Sequence, residues 1–261
     1  MPARILEWAA PGLVGALLLL AWQVAVEATG VPVYILPSPL TIAKTLVDDF
    51  GTLLPNLLIT LKITLLAFLG AAVGGLVLGM LLASSRWLER SLFPHAVVMQ
   101  VTPIVAIAPL IIIWVKDTTI ALFICAWLVA FFPVVANTVM GLNSTDAHLR
   151  DLFRLYGASR TQSMFWLKLP SALPYYLAGL RISGGLALIG AVVAEFVAGT
   201  GGTQSGLAYR ILESAYRLRI PRVFAALVLI SLTGVAIFIA LSVLTRLLLR
   251  HWHDSTIGPD I

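Results

Sequence analysis

DAHLRDLFRLYGASRTQSMFWLKLP, residues 146–170, is a charged island between long uncharged runs. Leu149, Leu152, Phe153 and Tyr156 fall at i, i+3, i+4 and i+7, the spacing of one apolar helix face. Arg150, Asp151 and Arg154 occupy the other faces. Asp146 and Arg150 stand at i and i+4, spaced for an ion pair worth roughly a few tenths of a kcal/mol. Gly157 can take the left-handed conformation that ends such a helix. Ala158 keeps the turn small, and Ser159 can cap a second short helix running to Leu169, which Pro170 is expected to break. The segment therefore predicts two short helices joined by a tight glycine turn and presented to water. A loop resting on lipid headgroups needs amphipathicity, but no glycine and Leu-Pro at fixed separation. A knob that fits a partner's cleft needs that fixed shape.

The flanks say what the island interrupts. Hydrophobic residues make up 60% of the 261 and charged residues 11%, with a mean hydropathy of +0.99. Soluble chains carry about 25% charged residues. A helix crosses the hydrocarbon core with roughly 20 mainly apolar residues. Residues 63–83, 96–115, 118–145 and 223–245 are charge-free runs of that order. Residues 11–26 form a shorter run with apolar flanks, and 174–198 is interrupted only by Arg181 and Glu195. The expectation is an all-α, polytopic membrane bundle of about six spans, with the 146–170 segment as its main excursion into water. Barrel strands would need short alternating segments, which are absent.

The chain divides into a first span (1–30), an outer connection (31–54), a core (55–250) and a tail (251–261). In the connection, Leu36-Pro37-Ser38-Pro39 bars helix, and Thr41 to Phe50 has the spacing of a short amphipathic helix. Arg4 before an apolar run resembles a secretory signal, but Ala25, Glu27 and Ala28 make a weak cleavage site and five spans follow, so the first span is read as retained. Arginine and lysine place both termini inside: Arg4, Arg86, Arg90, Arg150, Arg154, Arg160, Lys168, Arg246 and Arg250 on one side, Lys44 and Lys116 on the other. Arg210, Arg217, Arg219 and Arg222 run against that bias, in a segment that also holds Glu213, Tyr209 and Tyr216. The basic residues are scattered, which argues against nucleic acid as a partner. Cys125, the single cysteine, lies inside a span, so no intrachain disulfide exists.

Gly70, Gly74, Gly75 and Gly79 form small-xxx-small pairs suited to close packing, in the bundle or in a dimer. Pro103, Pro109 and Pro133 each remove a helix hydrogen bond, for a packing kink or a bend lining a pathway. Thr102, Pro103, Asn137, Glu195 and Gly199 are the candidates for a translocation pathway or gate. Glu195 is either functional or at a solvated helix end, and glycines 199, 201 and 202 after it suggest a flexible outer gate. Arg181 is placed to snorkel to headgroups, and Asn137 to hydrogen-bond across helices. No internal repeat is visible, so a two-fold pathway requires a second subunit. The four histidines sit with no cysteine or carboxylate cluster at metal spacing, and no phosphate-binding glycine loop is present. No catalytic residue and no bound cofactor are expected.

Gly157, nine residues, Leu167, one residue and then Leu169-Pro170 is a pattern that resembles the coupling loop of bacterial ATP-binding cassette importer permeases. LPSPLTIAKTL, SSRWLERSLFPHAVVMQVTPIVAIAPLIIIWV, AFFPVVANTVMGLNS and LPSALPYYLAGLRIS are similar to the nitrate, taurine and aliphatic-sulfonate branch of that family. VVAEFVAGTGGTQSGLAYRI is similar too, with Ala208 where the family's compact outer motif has its second glycine. Asp151, Leu152 and Phe153 stand where the family loop commonly has Glu-Ala-Ala. The resemblance implies a type I importer permease in the bacterial inner membrane, working as a homodimer above two ATPase subunits that bind ATP and Mg, and fed by a periplasmic or lipid-anchored binding protein. It implies that Asp151, Leu152, Phe153, Arg154, Gly157, Ala158 and Ser159 contact the ATPase, and that Leu169 and Pro170 fix the exit from the loop. A sulfonate-, nitrate- or bicarbonate-like anion or a small heterocycle is within the family's range. A secondary transporter driven by an ion gradient is the alternative, and it would need more intramembrane carboxylates than Glu195.

Overall fold

In the computed structural model, which describes residues 2–199 and 205–250 (side chains from Ala10 on), every regular element is helical. The tail 251–261 and the glycines Gly201 and Gly202 lie outside the described residues. The helix α1 (Pro2–Thr29) leads through an outer connection with α2 (Pro39–Asp48) into α3 (Phe50–Ser84). A broken pair, α4 (Arg86–Val101) and α5 (Ile104–Trp114), follows, and then α6 (Thr118–Asn143). The water-exposed excursion holds α7 (Ala147–Leu155) and α8 (Arg160–Ser163). A π-helical turn (Met164–Lys168) runs on into α9 (Leu169–Ala198), and α10 (Leu207–Tyr216) and α11 (Ile220–Leu249) complete the chain. Among the described residues, five helices are long and apolar enough to cross a membrane, six if the bent pair counts as one.

Small residues decide which helices touch. A Cβ on Gly79 would lie 2.6 Å from Thr138, and one on Gly75 2.7 Å from Val134, so α3 meets α6 almost backbone to side chain. Gly70 and Gly74 face Trp127 and Phe131 of the same helix. All four glycines thus serve packing within the chain. On the other side of α6, Gly190 meets the Cα of Ala126, and Gly179 meets Asn137 and the carbonyl of Pro133. In lipid, where no hydrophobic force drives helices together, such close approach gives the dispersion contact that holds a bundle. The result is a core of α3, α6 and α9, with α1 at the edge and its leucines uncovered.

Three expectations change. The third span is not one helix, because α4 and α5 meet at 96°. Pro103 has no N–H and forces Thr102 and itself into extended backbone. The halves measure about 24 Å and about 17 Å at 1.5 Å per residue, too short alone for a ~30 Å core. Pro109, by contrast, stays inside α5. Pro170 does not break the second loop helix either. The π turn, closed by the Leu169 N–H on the Met164 carbonyl, widens the helix just before the proline, and the path continues unbroken from Arg160 to Ala198. The helix of the outer connection begins at Pro39, not Thr41, because Ser38 accepts from Thr41 N–H and proline suits the first helical turn. Its Ile42 joins Leu53, Leu207, Ile211, Ala225, Ala226 and Leu229 in a second apolar cluster at the outer end.

Candidate functional site

The first helix of the excursion and its glycine turn have the predicted shape, built by local rules, while the second helix runs on into α9. Asp146 caps α7, accepting from His148 N–H at 2.8 Å and Leu149 N–H at 3.1 Å. That use of the carboxylate replaces the expected pair with Arg150. The ion pair that forms is Asp151 with Arg154 at 3.4 Å, and both side chains are exposed. Gly157 sits at φ 69°, with its own N–H on the Arg154 carbonyl and the Ala158 N–H on that of Phe153. This closure of the helix end needs the left-handed residue. Ser159 then forms a capping box with Gln162, each side chain receiving the other's backbone N–H.

None of the α7 residues is buried: Leu155 is 85% exposed, Tyr156 83%, and Leu149 and Leu152 nearly half. The helix thus keeps most of its apolar surface uncovered, with Phe153 half-buried. Behind it lies an open groove of about 1310 Å³ between the C-terminal end of α3, the start of α4 and the excursion. Arg86, Arg90, Arg150, Arg154, Arg160 and Lys168 line it, with Glu89 held by Asn143 at 2.9 Å. Ala158 lines it too, whereas Leu169 packs inward beside Ala83, Leu142 and Ala172. Pro170 lies in the first turn of α9.

The pathway candidates separate. Thr102 and Pro103 lie at the 96° break and line a cavity of about 390 Å³ with Met99, Gln100, Phe132, Pro133 and Leu186. No charged side chain lines it. Thr102 donates to Val98 O at 2.8 Å. Asn137 packs against Gly179 of α9, but its amide donates to the Pro133 carbonyl of its own helix at 2.8 Å. Arg181 is half-buried. Its guanidinium lies 5.9 Å from the Phe238 ring, and its Nε is buried without a hydrogen-bond partner.

Glu195 is no solvated helix end. It is 2% exposed and receives the Thr60 hydroxyl at 2.8 Å and the Ala208 N–H at 3.0 Å. Thr60 in turn accepts the Leu207 N–H at 2.9 Å. Asn56, one turn away on α3, donates to the Ser205 carbonyl and to Ser205 Oγ, and accepts from Arg210 Nε at 3.0 Å. Gly206 lies so close to the carboxylate that a Cβ there would overlap it. Gly199 ends α9 in the left-handed conformation (φ 56°) and takes no part in the knot. Sequence reasoning missed Asn56 and Thr60. The available signal was the polar stripe Asn56, Thr60 and Thr64 at i, i+4 and i+8 on an otherwise apolar helix, all three buried.

The outer basic cluster is largely paired. Arg210 meets Glu213 at 2.7 Å, Arg217 meets it at 3.0 Å, and Arg222 forks onto Asp49 at 2.6 and 2.7 Å. The Arg210 hydrogen bond, and the charges of Arg210, Arg217 and Arg222, hold the Glu213 carboxyl below its ordinary value. Among the described residues no group of His, Cys, Asp and Glu is placed to hold a metal.

The binding-protein-dependent transport system inner membrane components match residues 75–254, which include the broken span, the excursion and the Glu195 knot's α9 and α10. The chain belongs to that family. It is therefore a multi-pass inner membrane permease subunit of an ATP-binding cassette importer. The riboflavin transport system permease protein RibX of Chloroflexus aurantiacus is 37% identical over 95% of this chain and 92% of its own. The formylaminopyrimidine transport permease protein ThiX of Halalkalibacterium halodurans is 33% identical over 92% and 94%. The putative aliphatic sulfonates transport permease protein SsuC of Bacillus subtilis is 32% identical over 96% and 90%. The resemblance read from the sequence thus holds for the family, and permeases named for heterocycles stand beside those named for sulfonates.

Proposed function

We propose that two copies of this permease form the pathway, with both termini cytoplasmic, and that two separate ATPase subunits dock on α7 and the turn at Gly157. A binding protein outside delivers the solute. The observation that carries this reading is α7: a helix with capped ends and uncovered apolar residues, lifted off the bundle. Exposed Leu155 and Tyr156 beside Asp151 and Arg154 give a partner both a surface to bury and charges to read. In this reading Leu152, Phe153, Ala158 and Ser159 belong to the same contact, while Leu169 and Pro170 tie the excursion to α9. ATP and Mg belong to the partner, and this chain binds no cofactor.

The substrate we propose is a small uncharged or weakly charged heterocycle. Thr102 and Pro103 would then line its route at the break between α4 and α5, where the cavity offers aromatic and aliphatic walls, Gln100 and no fixed charge. The names of the riboflavin and formylaminopyrimidine permeases support that choice. Asn137, Glu195 and Gly199, considered for the route on sequence, do not line this cavity.

Purification with the neighbouring ATPase tests docking. A stoichiometric ATPase on the parent, lost in Gly157→Arg, supports the reading; a parent that purifies alone and transports down an ion gradient would make it a secondary transporter. Uptake in reconstituted vesicles tests the substrate. Competition by flavins or aminopyrimidines supports a heterocycle, and competition by alkanesulfonates alone returns the anion reading.

A further inference from the structure

We propose that Glu195 is a positioning residue for transport, fastening the outer part of α3, the outer end of α9 and α10 into one rigid unit that moves as a body when the outer face opens and closes. The inference rests on the importer reading for the existence of such a cycle.

The knot joins segments far apart in sequence. Thr60 and Glu195 are 135 residues apart, and Thr60 and Leu207 147. The carboxylate holds Thr60 through both oxygens, at 2.8 and 3.1 Å, and holds α10 through the Ala208 N–H. Thr60 holds α10 a second time through the Leu207 N–H. Two of the free N–H groups that open α10 are thus satisfied by side chains of other helices, and the positive end of its dipole faces the carboxylate. Asn56 adds Ser205 and Arg210 to the same seam. Nothing apolar can replace these bonds. Separating α10 or α9 from α3 would strand a buried carboxylate and backbone N–H groups where little water reaches, which is the costly way to lose a hydrogen bond. Apolar contacts, such as those of Leu207 and Ile211 with Ala225 and Leu229 of α11, can slide at far smaller cost. The boundary across which the outer end moves therefore lies outside the α3–α9–α10 unit.

Asn56 and Ser205 offer a direct test, because their side chains meet at 3.2 Å. In a Cys125→Ala background, Asn56→Cys with Ser205→Cys is closed by oxidation or by a short bis-thiol reagent. Uptake and binding-protein-stimulated ATP hydrolysis are then measured in vesicles holding the full importer. A rigid unit predicts that closure changes both by less than about twofold, since no bond across the seam has to open. A loss of tenfold or so on closure, restored by reductant, would show that the seam opens in each cycle and would overturn the proposal.

The second arm removes the fastener. Glu195→Gln keeps an oxygen that accepts from Thr60 or Ala208, and should retain most of the stimulation. Glu195→Ala and Thr60→Val should each lower stimulated hydrolysis by up to about tenfold, the scale of one stranded buried group, while the ATPase still copurifies. Should Glu195→Ala fail to accumulate, Thr60→Val carries the test alone. Stimulation equal to the parent in Thr60→Val and in every Glu195 variant that accumulates would overturn the positioning role. A parent that binds no ATPase sinks the importer reading by a different measurement, and this inference with it.

Discussion

The helices α7 and α10 are nine and ten residues long, both amphipathic, and they stand at opposite ends of the bundle. The inner one buries none of its residues and is shaped by its own caps, Asp146 before it and Gly157 after it. The outer one buries Leu207, Ala208, Ile211 and Ser214, and its opening N–H groups are bonded to Thr60 and Glu195 of other helices. The difference separates an element bonded into the bundle from one whose apolar surface the chain leaves uncovered. For α10, folding and positioning are one event. For α7, the fold supplies shape and leaves surface.

That contrast can be broken most severely at glycines, because each helix has one with a different task. A Cβ at Gly206 would overlap the Glu195 carboxylate, so that carboxylate must leave the bonds it makes to Thr60 and Ala208. Gly206→Val should cost about 3 kcal/mol or more by overpacking, and should appear as a lower melting temperature or lost accumulation in detergent. At Gly157 nothing lies within 4 Å of the added Cβ, so size alone harms nothing inside the chain. A non-glycine residue there costs about 1–2 kcal/mol of local backbone strain. Gly157→Arg should therefore leave the melting temperature close to the parent's while uptake falls by about tenfold or more through lost ATPase docking. If the two variants exchange phenotypes, the contrast is wrong.

A smaller effect separates the two kinds of support. Asp146→Ala removes the cap that accepts from His148 and Leu149, at about 1 kcal/mol. Because α7 has little else holding it, the loss should be local. Hydrogen exchange at the amides of the first α7 turn should speed up about fivefold while the spans keep their protection. Faster exchange spreading into α6 and α9 would mean that the excursion is part of the bundle's cooperative unit.

What could be read from the sequence divides along the same line. The spans were visible because each is a long run without charge, and the excursion because its caps, glycine and apolar face all lie within 25 consecutive residues. Pro103 marked a bend in the charge-free run 96–115, but its size, a 96° break, was not legible there: hydropathy records that a segment prefers lipid, not how far its backbone turns. Pro170 misled in the opposite direction, since a proline that reads as a helix breaker is absorbed by the π turn before it. Glu195 stood out as a charge, but its partners are the Thr60 hydroxyl and the Ala208 N–H, contributed from elsewhere in the chain. No local pattern reports a hydrogen bond across 135 residues.

The smallest effect sharpens the outer side of the comparison. Glu213 binds Arg210 and Arg217 at the surface of α10, and the Arg210 bond holds its carboxyl below the ordinary value of 4.5. A carboxylate depressed in the folded state contributes stability that is fully present above its unfolded value and is lost as pH falls through the folded one. Surface pairs of this kind contribute about 0.5 kcal/mol. Glu213→Gln should thus lower stability slightly at neutral pH, and the gap from the parent should close as the pH drops below 4.5. The anchorage of α10 should survive, because Ala208 and Leu207 are bonded to Glu195 and Thr60 and not to this pair. Thermal unfolding of parent and variant across acid pH reads the difference. Were Glu213→Gln to destabilise the protein as much as Thr60→Val, the surface pairs rather than the buried carboxylate would be what holds α10 in place.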